Sequence, residues 1–222
     1  MSEPLILNGM VLSAAPSADY DRRCVLLTRE RGKITAFARG ARKLNSALMA
    51  ASSPFAYGKF TVYEGRNAYT LVKAEISGYF QEIREDYIKA CYGCYFAEVT
   101  EYFGRENLDG RDLLNLLYVS LKALSRGRPS AEMVRVVFEM KAMVLNGEYP
   151  YAVTADERIS EKSRALLAYI IQAPLNRLYG IDYPEELLPE IRALQDQMNK
   201  KQFDRSFKSL EILNSMVETS SF

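Results

Sequence analysis

A 222-residue chain with 48% hydrophobic and 26% charged residues has the balance of one large or two small folded domains, which excludes wholesale disorder. It carries a formal charge of only +1, three cysteines and no histidine. A Ser-His-Asp or Cys-His hydrolase is therefore excluded, and a disulfide framework gives way to a reducing, cytoplasmic setting. No stretch of ~18 uncharged apolar residues predicts a membrane-spanning helix, and Met1-Ser2-Glu3-Pro4-Leu5 is not expected to open a secretory signal. The small net charge hides an asymmetry. Residues 1–80 hold 11 Lys/Arg against 6 Asp/Glu, a net of +5, and residues 81–222 hold 18 against 22, a net of −4. Any polyanion contact is expected on the first third.

In chain order, residues 5–14, 24–29, 33–39, 55–63 and 69–80 are rich in β-branched, aromatic and aliphatic residues and read as strands. Turn signals part them: Pro16-Ser17-Ala18-Asp19, Arg31-Gly32, Ser52-Ser53-Pro54 and Gly65-Arg66-Asn67. Five short strands with no crossover helix of useful length predict a small antiparallel barrel over residues 1–80, because closure removes exposed edges. Residues 40–51 form a loop or a short bridging helix. After Gln81 the apolar period changes from 2 to 3.6, which predicts an all-helical domain over 81–222. Its helices are expected at 83–103, from Asp109 or Gly110 to Leu124, at 131–146 with Ser130 as N-cap, and at 160–173, 184–197 and 203–217. The fold class is thus α+β.

Eight cations fall between Arg22 and Lys43, opposed only by Glu30. On the strand 33–39, alternation sets Lys33, Thr35, Phe37 and Arg39 on one face and Ile34, Ala36 and Ala38 on the other. Cations beside a ring suit a nucleic-acid groove, charge for phosphates and a π-face for bases. Arg22, Arg23, Lys33, Phe37, Arg39, Arg42 and Lys43 are the candidate DNA-binding residues, and the plain alternative is a solvated surface strand. Phe55, Tyr57, Phe60, Tyr63 and Tyr69 are further aromatic candidates, most of them expected to be core or cross-strand residues.

Cys91-Tyr92-Gly93-Cys94 looks like a metal motif but lies within a helical pattern, and with no histidine and only Cys24 besides, four zinc ligands cannot be assembled from Cys and His. No phosphate-loop or dinucleotide glycine frame is present. No catalytic group, metal or cofactor is expected, and the chain is read as a non-enzyme. The helix 131–146 admits two readings. It is a core helix with two solvated cations, or it is a groove for an acidic-hydrophobic peptide built from Val134, Arg135, Phe138, Lys141 and Met143.

Gly9-Met10-Val11-Leu12, the run from Tyr20 to Thr28, the run from Arg31 to Lys43, and the stretch from Phe55 through Tyr63-Glu64-Gly65 to Ala74-Glu75-Ile76 together resemble the amino-terminal domain of the bacterial RecO recombination-mediator family. Phe138-Glu139-Met140-Lys141 and Asn146-Gly147-Glu148-Tyr149-Pro150 are similar to that family's mid-chain helix and its end. The resemblance implies an oligonucleotide-binding (OB-type) barrel followed by a helical domain. It also implies binding of single- and double-stranded DNA, annealing of complementary strands, and contact with the acidic tail of the single-stranded DNA-binding protein SSB. Cooperation with RecR in loading RecA is implied as well, in the cytoplasm at the nucleoid. Many members carry a four-cysteine zinc motif after this point. Residues 151–177 contain no cysteine, so no zinc ribbon is expected and 148–180 replaces it. The competing readings are an OB-type module for RNA binding or remodelling, and a protein-interaction scaffold whose basic face is incidental.

Overall fold

The computed structural model describes residues 3–150 and 159–219. Its first part is a closed barrel of β1 (Leu5–Ser17), β2 (Asp21–Thr28), β3 (Gly32–Ala38), β4 (Tyr57–Glu64) and β5 (Tyr69–Gly78), in the order β1-β2-β3-β5-β4. All five expected strands are present, each end within three residues of its expected place. One feature of the expectation is corrected. β3 and β5 run parallel, through Ala36↔Tyr69, Phe37↔Thr70 and Ala38↔Leu71. A ring of five strands cannot alternate direction all the way round, so closure forces one parallel seam.

β1 pairs with both β2 and β4, and the two pairings overlap at Gly9 and Met10, Gly9 lying opposite Thr28 on one side and Gly58 on the other. A Cβ at Gly9 would lie 2.5 Å from the Leu27 carbonyl oxygen, so only glycine lets the strand coil through this point. Alternation sends Leu7, Val11, Cys24, Leu26, Ile34, Ala36, Ala38, Phe60, Val62 and Leu71 inward, all of them buried. Each large aliphatic side chain there stabilises the unit by roughly 1.5–3 kcal/mol. Phe55 and Phe60 are buried, as core aromatics should be. Residues 40–51 include a single turn of helix, α1 (Leu48–Ala51).

The barrel's compact unit is discontinuous: it takes in Met1–Gln81 and Thr100–Leu114. The later segment clasps the β2–β3 turn. Lys33 N donates to the Arg105 carbonyl at 2.9 Å, Asn107 N to that of Arg31 at 2.9 Å, and Gly110 N to that of Arg29 at 3.1 Å. Gly32 turns there with φ +62°, and a Cβ on it would meet the Arg105 carbonyl oxygen at 2.1 Å.

The second unit takes in Glu82–Val99 and Asn115–Phe222. The helices of the chain beyond the barrel are α2 (Gln81–Arg84), α3 (Tyr87–Phe103), α4 (Arg111–Arg126), α5 (Ala131–Leu145), α6 (Glu161–Gln172), α7 (Leu188–Gln202) and α8 (Lys208–Thr219). The helix expected over 83–103 is broken before Tyr87. Asp86 caps α3, its Oδ1 accepting from Lys89 N at 3.1 Å and its carbonyl from Ala90 N at 2.8 Å. Ser130 caps α5 as expected, Oγ accepting from Met133 N. Every residue from Met133 to Met143 is buried, so α5 is the central helix, with α6 and α7 packed on it. Phe96 of α3 stacks on Phe138, ring centroids 4.5 Å apart. Of the cysteine-free segment, 151–158 lie outside the described residues, and the remainder forms α6 and a short turn of 3-10 helix, Leu175–Arg177.

Candidate nucleic-acid interface

The outward row on β2 and β3 is set by register: Arg23 opposite Phe37, Val25 opposite Thr35, Leu27 opposite Lys33. Its two ends differ. At the Lys33 end the row is covered by the barrel unit's own Thr100–Leu114 segment, with Gly104 and Gly110 close against Leu27 and Gly104 against Lys33. At the other end Arg23 is exposed and Phe37 half-buried. Past the end of β3, Arg39, Arg42 and Lys43 are exposed. The β1–β2 turn is tied to this loop: Arg42 N donates to the Tyr20 carbonyl at 2.8 Å, Gly40 N to Asp21 Oδ1 at 2.7 Å, and Lys43 Nζ lies 5.6 Å from the centre of the Tyr20 ring. Among the described residues no ion pair ties Arg23, Arg39, Arg42 or Lys43 to a carboxylate. Four exposed cations thus lie on β2 and in the loop after β3, with Phe37 opposite Arg23 and Arg42 Nη1 donating to the Asp19 carbonyl at 3.3 Å.

The seven residues singled out in the sequence do not all meet. Arg22 shares the inward parity of Cys24 and Leu26. Its Nη1 donates to the Met49 carbonyl at 2.8 Å and to Ser52 and Ser53 Oγ at 3.2 Å each, so it closes the barrel's end and braces α1. Lys33 donates from Nζ to the Glu101 carbonyl at 2.9 Å. It borders a cleft of about 150 Å³ that Glu64 and Glu106 share with Arg66 and Tyr69. Burial, then the Glu64 charge, hold the Tyr69 phenol above its usual range. Mixed charge and a covered lysine make this end a poor phosphate track. Tyr20, 55% exposed beside Lys43, was not singled out. Its position between two turn residues was the only signal.

The reading of α5 as an open groove is corrected. Val134, Arg135, Phe138, Lys141 and Met143 are all buried. Lys141 Nζ donates to the carbonyls of Ile170, Ile171 and Ala173 at 3.1, 2.7 and 2.8 Å. It thereby satisfies the exposed-end carbonyls of α6, and burial lowers its pKa. Arg135 Nε donates to Glu139 Oε1 at 2.7 Å, and Glu139 also accepts from Tyr95 OH at 2.6 Å and Asn199 Nδ2 at 2.8 Å. Burial works against the Arg135 charge, but the Glu139 carboxylate outweighs it and holds the guanidinium above its ordinary range. These cations hold the helical unit together. Elsewhere on that unit, a groove of about 430 Å³ is lined by Tyr95, Lys200, Phe203, Arg205, Phe207, Leu210 and Glu211. Cys91 and Cys94 lie on α3, their thiols pushed up by burial. Among the described residues no three His, Cys, Asp or Glu side chains gather to hold a metal ion, and no helix is long and apolar enough to cross a membrane.

A closed five-strand barrel with a basic outer edge, followed by a helical unit around one buried helix, is the architecture of an OB-type barrel joined to a helical domain. Comparison with known families agrees: the model of the recombination protein O N terminal matches residues 1–80, and that of the recombination protein O C terminal matches residues 84–154. The chain is 34% identical over 143 residues to the DNA repair protein RecO of Alkaliphilus metalliredigens, an alignment covering 64% of this chain and 58% of that protein. It is 34% identical over 142 residues to the RecO of Bacillus subtilis, covering 64% and 55%. With the RecO of Acetivibrio thermocellus it shares 22% identity over 94% of this chain and 96% of that one. The chain belongs to the RecO family of recombinational DNA repair proteins. At the higher identities the match spans little more than half the relatives' length.

Proposed function

We propose that this chain is a non-enzymatic recombination mediator that binds single- and double-stranded DNA along the barrel edge, anneals complementary strands and, with RecR, helps load RecA onto SSB-coated DNA. The observation that carries this reading is the set of four exposed cations, Arg23, Arg39, Arg42 and Lys43, none in an ion pair among the described residues, with Phe37 paired opposite Arg23. Phosphate neutralisation by such cations gives affinity, and a ring gives a sequence-tolerant surface for bases. It also reduces the repulsion between two strands brought together, which annealing needs. Contact with the acidic SSB tail falls on the helical unit, at the groove of Lys200, Phe203, Arg205 and Leu210. That groove has what α5 lacks, cations at the rim of an accessible apolar slot. The proposed site of action is the cytoplasm, at the nucleoid.

The test is annealing of complementary strands precoated with SSB. Acceleration by the wild-type chain and loss in Arg39→Ala/Arg42→Ala are expected. Equal affinity for DNA and RNA of one sequence, with no annealing, would support an RNA-binding module instead.

A further inference from the structure

Leu44 is 88% exposed, more than any other large apolar residue among those described. A single exposed leucine is ordinary, but its setting is not. Arg39, Arg42 and Lys43 precede it in the same loop, and Tyr20 at 55% and Met49 at 36% exposure are borne by segments fastened to that loop. The loop is braced rather than slack. Ala41 is buried, with its N donating to the Ala38 carbonyl at 3.3 Å, Lys43 N donates to that of Gly40 at 3.0 Å, Ser46 N to that of Lys43 at 3.2 Å, and Arg42 N to that of Tyr20 at 2.8 Å. Asn45 takes the left-handed φ of +61° just after the leucine, a corner that asparagine tolerates. From below, Arg22 ties the same connection down at Met49, Ser52 and Ser53. An isobutyl group is therefore held out into water on a fixed corner, flanked by guanidinium and ammonium groups.

We propose that Leu44 is a wedge that enters the base stack where a single strand meets a duplex, while Arg39, Arg42 and Lys43 hold the phosphates on either side. This rests on the DNA-binding reading above and adds which DNA structure the loop engages. Apolar side chains that open a base step exchange base–base stacking for burial of their own surface, and need adjacent cations to hold the backbone. A membrane or a protein surface also accepts an exposed leucine. The charge set in the loop favours a polyanion, and the braced backbone favours a partner whose step spacing is fixed.

The experiment uses the full chain and a partial duplex with 2-aminopurine in the last base pair before the single-stranded arm. Binding is followed by anisotropy of a distant dye, and unstacking by 2-aminopurine fluorescence. For the wild type, bound junction is expected to brighten as the base beside the wedge unstacks. Leu44→Ala is expected to bind plain single strands as the wild type does, with the same salt dependence. It should lose most of the brightening and bind the junction about ten- to a hundredfold less tightly, the scale set by burying one leucine side chain. Brightening retained at saturation by Leu44→Ala overturns the wedge and leaves DNA binding intact, as does saturated wild-type binding without brightening. Absence of any anisotropy change for the wild type overturns both. Leu44 has no packing role to lose, so misfolding does not confuse the result, and Leu44→Met should restore the brightening.

Discussion

The division of the basic cluster into a working edge and a structural remainder makes a quantitative prediction. Four exposed cations with no ion pair among the described residues lie at the edge, Arg23, Arg39, Arg42 and Lys43. If each neutralises one phosphate of a single strand, log K falls with log salt at a slope of about −3. Between 50 and 200 mM salt that is a loss of about fiftyfold in affinity. Arg39→Ala/Arg42→Ala removes two contacts, so the slope should halve to about −1.4 and the loss over the same range should shrink to about sevenfold. Lys33→Met is the control. Its ammonium is spent on the Glu101 carbonyl, so its removal should leave the slope unchanged. Fluorescence anisotropy of a labelled oligothymidylate at five or six salt concentrations measures all three. A slope flattened by Lys33→Met as much as by the double variant would refute the reasoning, since phosphates would then run along the end that Thr100–Leu114 covers.

Three further outcomes are expected. Glu139→Ala leaves Tyr95, Arg135 and Asn199 without their shared acceptor and should lower unfolding free energy by roughly 3–5 kcal/mol in urea titration; a loss under about 1 kcal/mol would mean the network carries little. Burial raises the phenols of Tyr95, Tyr149, Tyr179 and Tyr183, Tyr149 to about 12. Unfolded tyrosines ionise near pH 10, so the stability from these groups is intact below that pH and is lost as pH rises toward the folded values. Phenolate absorbance should therefore rise in two phases, the second coincident with loss of helical circular dichroism; one smooth phase with helix retained contradicts the burial. Lys200→Glu with Arg205→Glu should weaken an acidic, apolar-ended peptide about ten- to a hundredfold by losing charge-assisted bonds, whereas unchanged titration moves that contact away from the groove.

Local regularity was legible in the sequence, and tertiary cover was not. Strands announce themselves by period 2 and by turn residues, which is why Ile34, Ala36 and Ala38 were assignable to the barrel interior from their alternation alone. The same parity, carried onto β2, sends Arg22 inward with Cys24 and Leu26, but a count of charges does not see parity, and Arg22 was grouped with the surface. Lys33 has the outward parity, yet its ammonium donates to the Glu101 carbonyl, contributed by a residue about seventy positions later. No local pattern contains that. On α5 the signal was present. With apolar residues on every side, its cations had to be partnered inside, and Arg135 with Glu139 is an i,i+4 pair visible in the sequence. The acceptors of Lys141, three carbonyls at the end of another helix, were not visible.

These placements bear on how the proposed DNA binding would work. Cover over the Lys33 end leaves Arg23, Arg39, Arg42 and Lys43 as the exposed part of the basic cluster, so the proposed edge would hold few phosphates. A small number of phosphate contacts gives binding that is weak and readily released, and the proposed annealing requires strands to be released once paired. A longer groove, with Arg22 and Lys33 also engaged, would bind more tightly and hold its product. The two cations withdrawn into structural bonds therefore serve both the fold and the proposed activity. One braces the loop that carries Arg39, Arg42, Lys43 and Leu44; the other fastens the segment that limits the footprint. Arg22→Met should accordingly loosen the loop and impair junction unstacking while removing no phosphate contact. A normal salt slope with weakened 2-aminopurine brightening is the expected pair of readings, and a flattened slope would return Arg22 to the DNA surface.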